Sequence, residues 1–212
     1  MKNFFAKHEA FWKNQTLILS SFFGLLLFLA SLLANREATI YATEQAGGSV
    51  SDIILSNIPV FNVDPIVNEG ALLFFVFVLV MLVLEPRRIA FTLKAAALFV
   101  LIRSVFVVLT HIGQFPEHSL LETDALMSPF NVGGDLFFSG HTGLPFLIAL
   151  IFWKDAVARS ISLAASLIFG TAVLLGHLHY SIDVFSAFFI TFAIFHLAKR
   201  LFLKDYALSC EN

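Results

Sequence analysis

The chain has 212 residues, 58% of them apolar and 13% charged, with a mean hydropathy of +0.87. A wetted globular surface carries about a quarter charged residues, so a water-soluble enzyme is excluded, as are a nucleic-acid binder, a disordered chain and a coiled coil. The 13 basic and 15 acidic side chains nearly cancel, and the single cysteine, Cys210, cannot close an intrachain disulfide.

A hydrocarbon layer about 30 Å thick needs roughly 20 apolar residues of helix. Long uncharged runs predict six spans near 16–34, 70–85, 92–112, 140–153, 160–176 and 182–198, within one integral-membrane domain over 1–212. The expected fold class is therefore all-α, a polytopic six-helix bundle. The first run follows Lys2, Lys7 and Lys13. Its apolar core exceeds the roughly 7–15 residues of a cleaved signal peptide, so it reads as a retained anchor. Between spans one and two, residues 35–69 form a long connection with Gly47-Gly48, Pro59 and Pro65, where a short interfacial helix is expected. Residues 113–139 form a second connection, and the link between spans five and six is a turn around His177 to Tyr180. Short spans are expected where a helix begins in a protein-lined site rather than in lipid.

The lysines and arginines set an orientation. Lys2, Lys7 and Lys13 precede span one, and Arg87, Arg88 and Lys94 separate spans two and three. Lys154 and Arg159 join spans four and five, and Lys199, Arg200 and Lys204 follow span six. All lie on alternate connections. Only Arg36 falls on the other side, and Arg103 lies inside span three. The positive-inside rule then places both termini in the cytoplasm. The opposite face, with Glu37, Glu44, Asp52, Glu117, Glu122, Asp124, Asp135 and Asp183 among its acids, is expected to face the periplasm or a lumen. Trp12 and Trp153 fall at the cytoplasmic boundaries, as interfacial aromatics should.

Two polar stretches occupy span ends on that acidic side, where polar groups are costly and need a reason. One runs from Gly133 to Gly143 into span four, the other from Gly176 to Asp183 into span six. His179 and Asp183 are four residues apart, which would place them on one helix face. A carboxylate on one imidazole nitrogen fixes the tautomer and makes the other nitrogen a better nucleophile or base. Ser139 and Gly140 open span four, where backbone amides and the helix N-terminus favour an anion, and His141 is placed to donate a proton to a leaving group. Arg103 offers a guanidinium fork that matches phosphate. It could instead pair with Asp135 or Asp183, or snorkel to an interface.

These groups suggest phosphoryl transfer through a phosphohistidine, with no cofactor. Read from the residues alone, other roles stay open. The polar groups could seal a bundle, or relay protons in a transporter. His141, His177, His179 and Asp183 could ligate zinc. A serine protease on Ser139 is disfavoured, since Ser139 and His141 are too close in sequence for an interhelical dyad.

Gly134-Asp135-Leu136-Phe137-Phe138-Ser139-Gly140-His141-Thr142 resembles the Gly-Asp-x-x-Phe-Ser-Gly-His-Thr motif of sphingomyelin synthases, and His177-Leu178-His179-Tyr180-Ser181-Ile182-Asp183-Val184 resembles their His-x-His-Tyr-Thr/Ser-x-Asp-Val motif. Those enzymes are a branch of the type 2 phosphatidic acid phosphatase (PAP2) superfamily, whose six-helix membrane core the resemblance implies here. It covers spans three to six, and Arg103 with the stretch from Thr110 to Pro116 is weakly similar to a further motif. The resemblance implies that His179 attacks phosphorus, Asp183 orients it, and His141 protonates the departing oxygen. Asp135 would tune His141, and Ser139, Gly140, His177 and Tyr180 would support the site. It favours no metal. The partners implied are a phospholipid donor and, as acceptor, a lipid alcohol or water. The Lys-x6-Arg-Pro and Ser-Arg signatures of ordinary phosphatidic acid phosphatases are absent, as is the Pro before Ser-Gly-His. The expected activity is transfer of a phospho-headgroup. The alternatives are a hydrolase of the same superfamily and a non-enzymatic transporter or scaffold. Headgroup and acceptor are left open, as is oligomeric state, with a homo-oligomer allowed.

Overall fold

The computed structural model describes residues 2–119 and 136–210. Helices are α1 (Lys2–Lys13), α2 (Gln15–Glu44), α3 (Gly70–Leu84), α4 (Ile89–Leu109), α5 (Gly140–Ile151), α6 (Ala156–Leu175), α7 (Ser181–Leu201) and α8 (Leu203–Cys210). No strand occurs among the described residues. The protein is an all-α polytopic membrane protein. Among the described residues, five segments are long and apolar enough to cross a bilayer: α2, 65–84, 86–109, α6 and α7. The sixth apolar helix, α5, has 12 residues, about 18 Å at 1.5 Å per residue, shorter than the hydrocarbon layer.

Helix ends are set locally. Asn14 accepts from the Leu17 amide at the start of α2, and Asp155 accepts from Val157 and Ala158 at the start of α6, as short polar N-caps do. Ser139 caps α5 through the Thr142 amide. At the far end of α5, Arg88 donates to the Ile151 carbonyl at 3.1 Å, a cation placed where the helix dipole is negative.

The helix ends divide into two layers. One is basic: Lys7 pairs with Glu85, and Lys94 meets Asp205 at 2.7 Å while Ser20 donates to the same carboxylate. These contacts gather the start of α2, the end of α3, the start of α4 and α8. The other layer holds the Ser-Gly-His and His-x-His sequences. Between them, α2 lies along α4, α5 packs on α6 and α7, and α4 closes on α7. Phe91, Phe99, Phe138, Leu147, Ala187 and Ile194 fill the centre. Large apolar side chains such as Leu73, Phe189 and Leu33 point outward instead, the arrangement expected of helices solvated by lipid.

Close approach in a membrane bundle relies on small residues. A Cβ on Gly143 would stand 2.7 Å from the Phe99 ring and 2.8 Å from Thr191 Oγ1, and both residues are fully buried. Gly143→Ala is expected to cost about 1–3 kcal/mol by overpacking, seen as a lower melting temperature of the detergent-solubilised protein.

The element bounds differ in places from the sequence expectation. Helix α2 continues through Glu44, ten residues beyond the apolar run, because Arg36–Glu44 stays helical where it leaves the lipid-like stretch. The expected interfacial helix in 35–69 is a single 3-10 turn at Leu55–Asn57, and a π turn at Pro65–Glu69 leads into α3.

Candidate active site

The turn after α6 carries the second motif. His177 has φ of 53°, a left-handed conformation uncommon for a residue with a side chain, which reverses the chain between Gly176 and α7. His179 precedes α7 and Asp183 stands in its first turn. His179 Nδ1 donates to Asp183 Oδ2 at 3.2 Å. A carboxylate only accepts, so in the neutral ring this contact selects the tautomer with the proton on Nδ1. The two residues therefore meet, but not as neighbours on one helix face as the spacing of four had suggested. His179 lies outside the helix, and the same Asp183 oxygen accepts from the Tyr180 amide at 3.1 Å, so the carboxylate caps α7 and holds His179 together. Both side chains are buried. Asp183 Oδ1 has no partner among the described residues.

The first motif meets this layer directly. The Ser139 amide donates to the Asp183 carbonyl at 3.0 Å, so the N-terminus of α5 is docked on the first turn of α7. Gly140 and His141 follow as the first two residues of α5. Arg103, 6% exposed, donates Nε–H to the Phe138 carbonyl at 3.3 Å and reaches Asn35 Oδ1, also at 3.3 Å. A Cβ on Gly140 would lie 3.5 Å from Arg103 Nε. The guanidinium is thus packed beside the start of α5. Asp135 lies outside the described residues, as do Glu122 and Asp124.

A cavity of about 360 Å³ opens from this point, bordered by α2 to α6. Asn35, Arg103, Gly140 and His141 line one end, and the rest of its wall is almost wholly apolar. His179 and Asp183 are not among the cavity's lining residues.

The remaining expected site residues have structural partners. His177 Nδ1 donates to the Glu117 carbonyl at 2.8 Å, and its Nε2 is buried without a partner among the described residues. The Tyr180 hydroxyl donates to the Gly113 carbonyl at 2.8 Å and accepts from the Val50 amide. Among the described residues no three His, Cys, Asp or Glu side chains come together as a ligand set, so His141, His177, His179 and Asp183 do not form the zinc site that their residue types allowed.

Two participants were not singled out in the sequence. Asn35 ends up beside Arg103 only because α2 lies along α4. Asp52 reaches across 129 positions: its Oδ2 accepts from the Ser181 amide at 2.7 Å and the Ser181 hydroxyl at 2.8 Å. Its Oδ1 accepts from Ile54 and Leu55. Burial alone would raise the Asp52 pKa, but the hydrogen bonds from Ser181, Leu55 and Ile54 together hold it below its ordinary 3.8. A depressed folded pKa means that stability is fully present above about 3.8 and is lost as pH falls through the lower folded value. Asp52→Asn is accordingly expected to flatten the acid limb of melting temperature against pH, measured in detergent.

Comparison with known proteins bears on the same region. Residues 132–200 match the family model described as PAP2 superfamily C-terminal. The match supports membership of the PAP2 superfamily. It takes in α5, α6 and most of α7, and so both motifs and the His179–Asp183 pair. It supports a lipid enzyme of phosphatase or phosphotransferase type, consistent with an integral membrane protein and with lipid partners. Nothing matches this chain among curated proteins, and nothing among solved structures.

Proposed function

We propose that the protein is a phospholipid headgroup transferase, similar to sphingomyelin synthases, acting through a phosphohistidine on His179. The observation that carries this reading is the buried His179–Asp183 hydrogen bond in the turn on which the N-terminus of α5 is docked through the Ser139 amide and the Asp183 carbonyl. In the first step, the Nε2 lone pair forms a bond to phosphorus. The bond from phosphorus to the diacylglycerol oxygen breaks, and protonated His141 gives its proton to that oxygen. In the second step, the acceptor hydroxyl attacks phosphorus and passes its proton to the now neutral His141. The phosphorus–nitrogen bond breaks and His179 is restored. Arg103 would balance charge on the phosphate oxygens, since hydrogen bonds to ionised groups are stronger than neutral ones.

The motif layer is the face expected to be periplasmic or luminal, with the basic helix ends in the cytoplasm. The test is reconstitution with a phospholipid labelled in its headgroup and a diacylglycerol or ceramide acceptor. Label appearing in a new lipid supports transfer. Label appearing only as a water-soluble phosphate ester makes the protein a hydrolase, and no release from any phospholipid rejects the enzymatic reading. A tag at residue 45, accessible from outside intact cells while one at residue 212 is not, is the expected result for topology.

A further inference from the structure

We infer that the cavity beside Arg103 holds one acyl chain of the donor lipid and sets which chain lengths the protein accepts, an inference that rests on the proposed lipid-phosphate chemistry. The ionisable and amide side chains of the cavity, Asn35, Arg103 and His141, lie at one end, and Thr92 is the one hydroxyl residue in the otherwise apolar remainder, so an amphiphile with one charged head and an apolar tail matches that asymmetry. At about 360 Å³ it is near the low end of ordinary ligand pockets, which run from about 300 to 1,000 Å³. That is room for a single chain. Its floor is made by Leu82, Thr92 and Ile148, toward the basic ends of α3, α4 and α5. Arg103 and Thr92 are on the same helix, and eleven residues at 1.5 Å give about 16 Å between the two ends. An extended chain of about a dozen carbons, zigzagging on bonds of about 1.5 Å, spans that depth.

The route in is lateral. Helix α2 packs along α4, while α3 joins α5 and the turn before α3 joins α6. No comparable packing joins α2 to α3, although both border the cavity. A donor can therefore slide one chain between α2 and α3 and leave its second chain in the bilayer. The apolar flanks that α2 and α3 turn outward, Leu29 and Leu72 among them, suit that passage. Ala96, on the α4 wall, leaves space that a larger side chain would fill.

Native mass spectrometry of the full chain with dihexanoyl- and dimyristoyl-phosphatidic acid tests this without requiring turnover. The wild type is expected to retain the dimyristoyl lipid at least about tenfold more tightly, through the additional buried methylenes. Ala96→Phe is expected to erase that preference while leaving dihexanoyl binding in place. Ile148→Ala, which lowers the floor, is expected to shift the preference toward dipalmitoyl lipid, a gain that misfolding cannot imitate. Equal retention of both lipids by the wild type overturns the inference, and so does an unchanged preference in both variants. Turnover assays on the same samples separate the two readings. Chain-length preference without turnover rejects the proposed chemistry alone, and turnover without preference rejects the acyl site alone.

Discussion

His179→Ala is expected to lower turnover by about 10⁴-fold or more, the scale of loss when a nucleophile is removed from groups that act as a unit. The variant should remain assembled, because the Asp183 carboxylate keeps its bond from the Tyr180 amide and the Ser139 amide keeps its bond to the Asp183 carbonyl. Asp183→Asn separates orientation from nucleophilicity. An asparagine that turns its amide NH₂ toward His179 Nδ1 favours the tautomer with the proton on Nε2, which removes the lone pair the reaction needs. The same NH₂ can no longer accept from the Tyr180 amide, so loss of activity with a modest fall in melting temperature, about the 0.5–2 kcal/mol of a lost helix cap, is the expected result. Initial rates on a headgroup-labelled phospholipid, with melting curves on the same samples, provide the check.

Arg103→Gln is expected to lower kcat by about 10²–10³-fold, the size of effect seen when one preorganised donor is removed from developing negative charge. Arg103 also holds the Phe138 carbonyl and Asn35, so part of any loss could come from displacement of the α5 N-terminus. Arg103→Lys distinguishes the two contributions. Lysine restores the charge but not the planar fork that reaches phosphate and neighbours together. Partial rescue in kcat without rescue in melting temperature identifies charge as the larger contribution. Equal recovery of both would identify Arg103 as a structural staple.

The all-α class and its long apolar helices were legible because lipid solvation demands long uncharged runs, and α3, from Gly70 to Leu84, contains no charged residue at all. The short α5 was legible through Ser139-Gly140, a cap followed by a small residue. The His179–Asp183 pair was legible as a spacing but not as a geometry. A left-handed residue at His177 stops the turn before α7, and no pattern of period four encodes that. Asp52 was visible only as one acid among many in a long connection. Its two hydrogen bonds from Ser181 depend on that connection folding back over α7, helped by paired backbone contacts between Gly47-Gly48 and His111–Gly113. A Cβ on Gly113 would stand 2.4 Å from the Gly47 carbonyl, so this approach needs glycine there. Asn35 was hidden for the same kind of reason. It sits just past the apolar run of α2, and only the packing of α2 along α4 gives it a role.

The most direct measurement is capture of the covalent intermediate. The purified protein, mixed with a phospholipid carrying label in its phosphate and quenched rapidly, is digested and its peptides are mapped by mass spectrometry. The account predicts an acid-labile, base-stable phospho-headgroup on His179, absent from His179→Ala and accumulating when no acceptor lipid is supplied. Label on a different residue, or turnover that proceeds undiminished in His179→Ala, would contradict it.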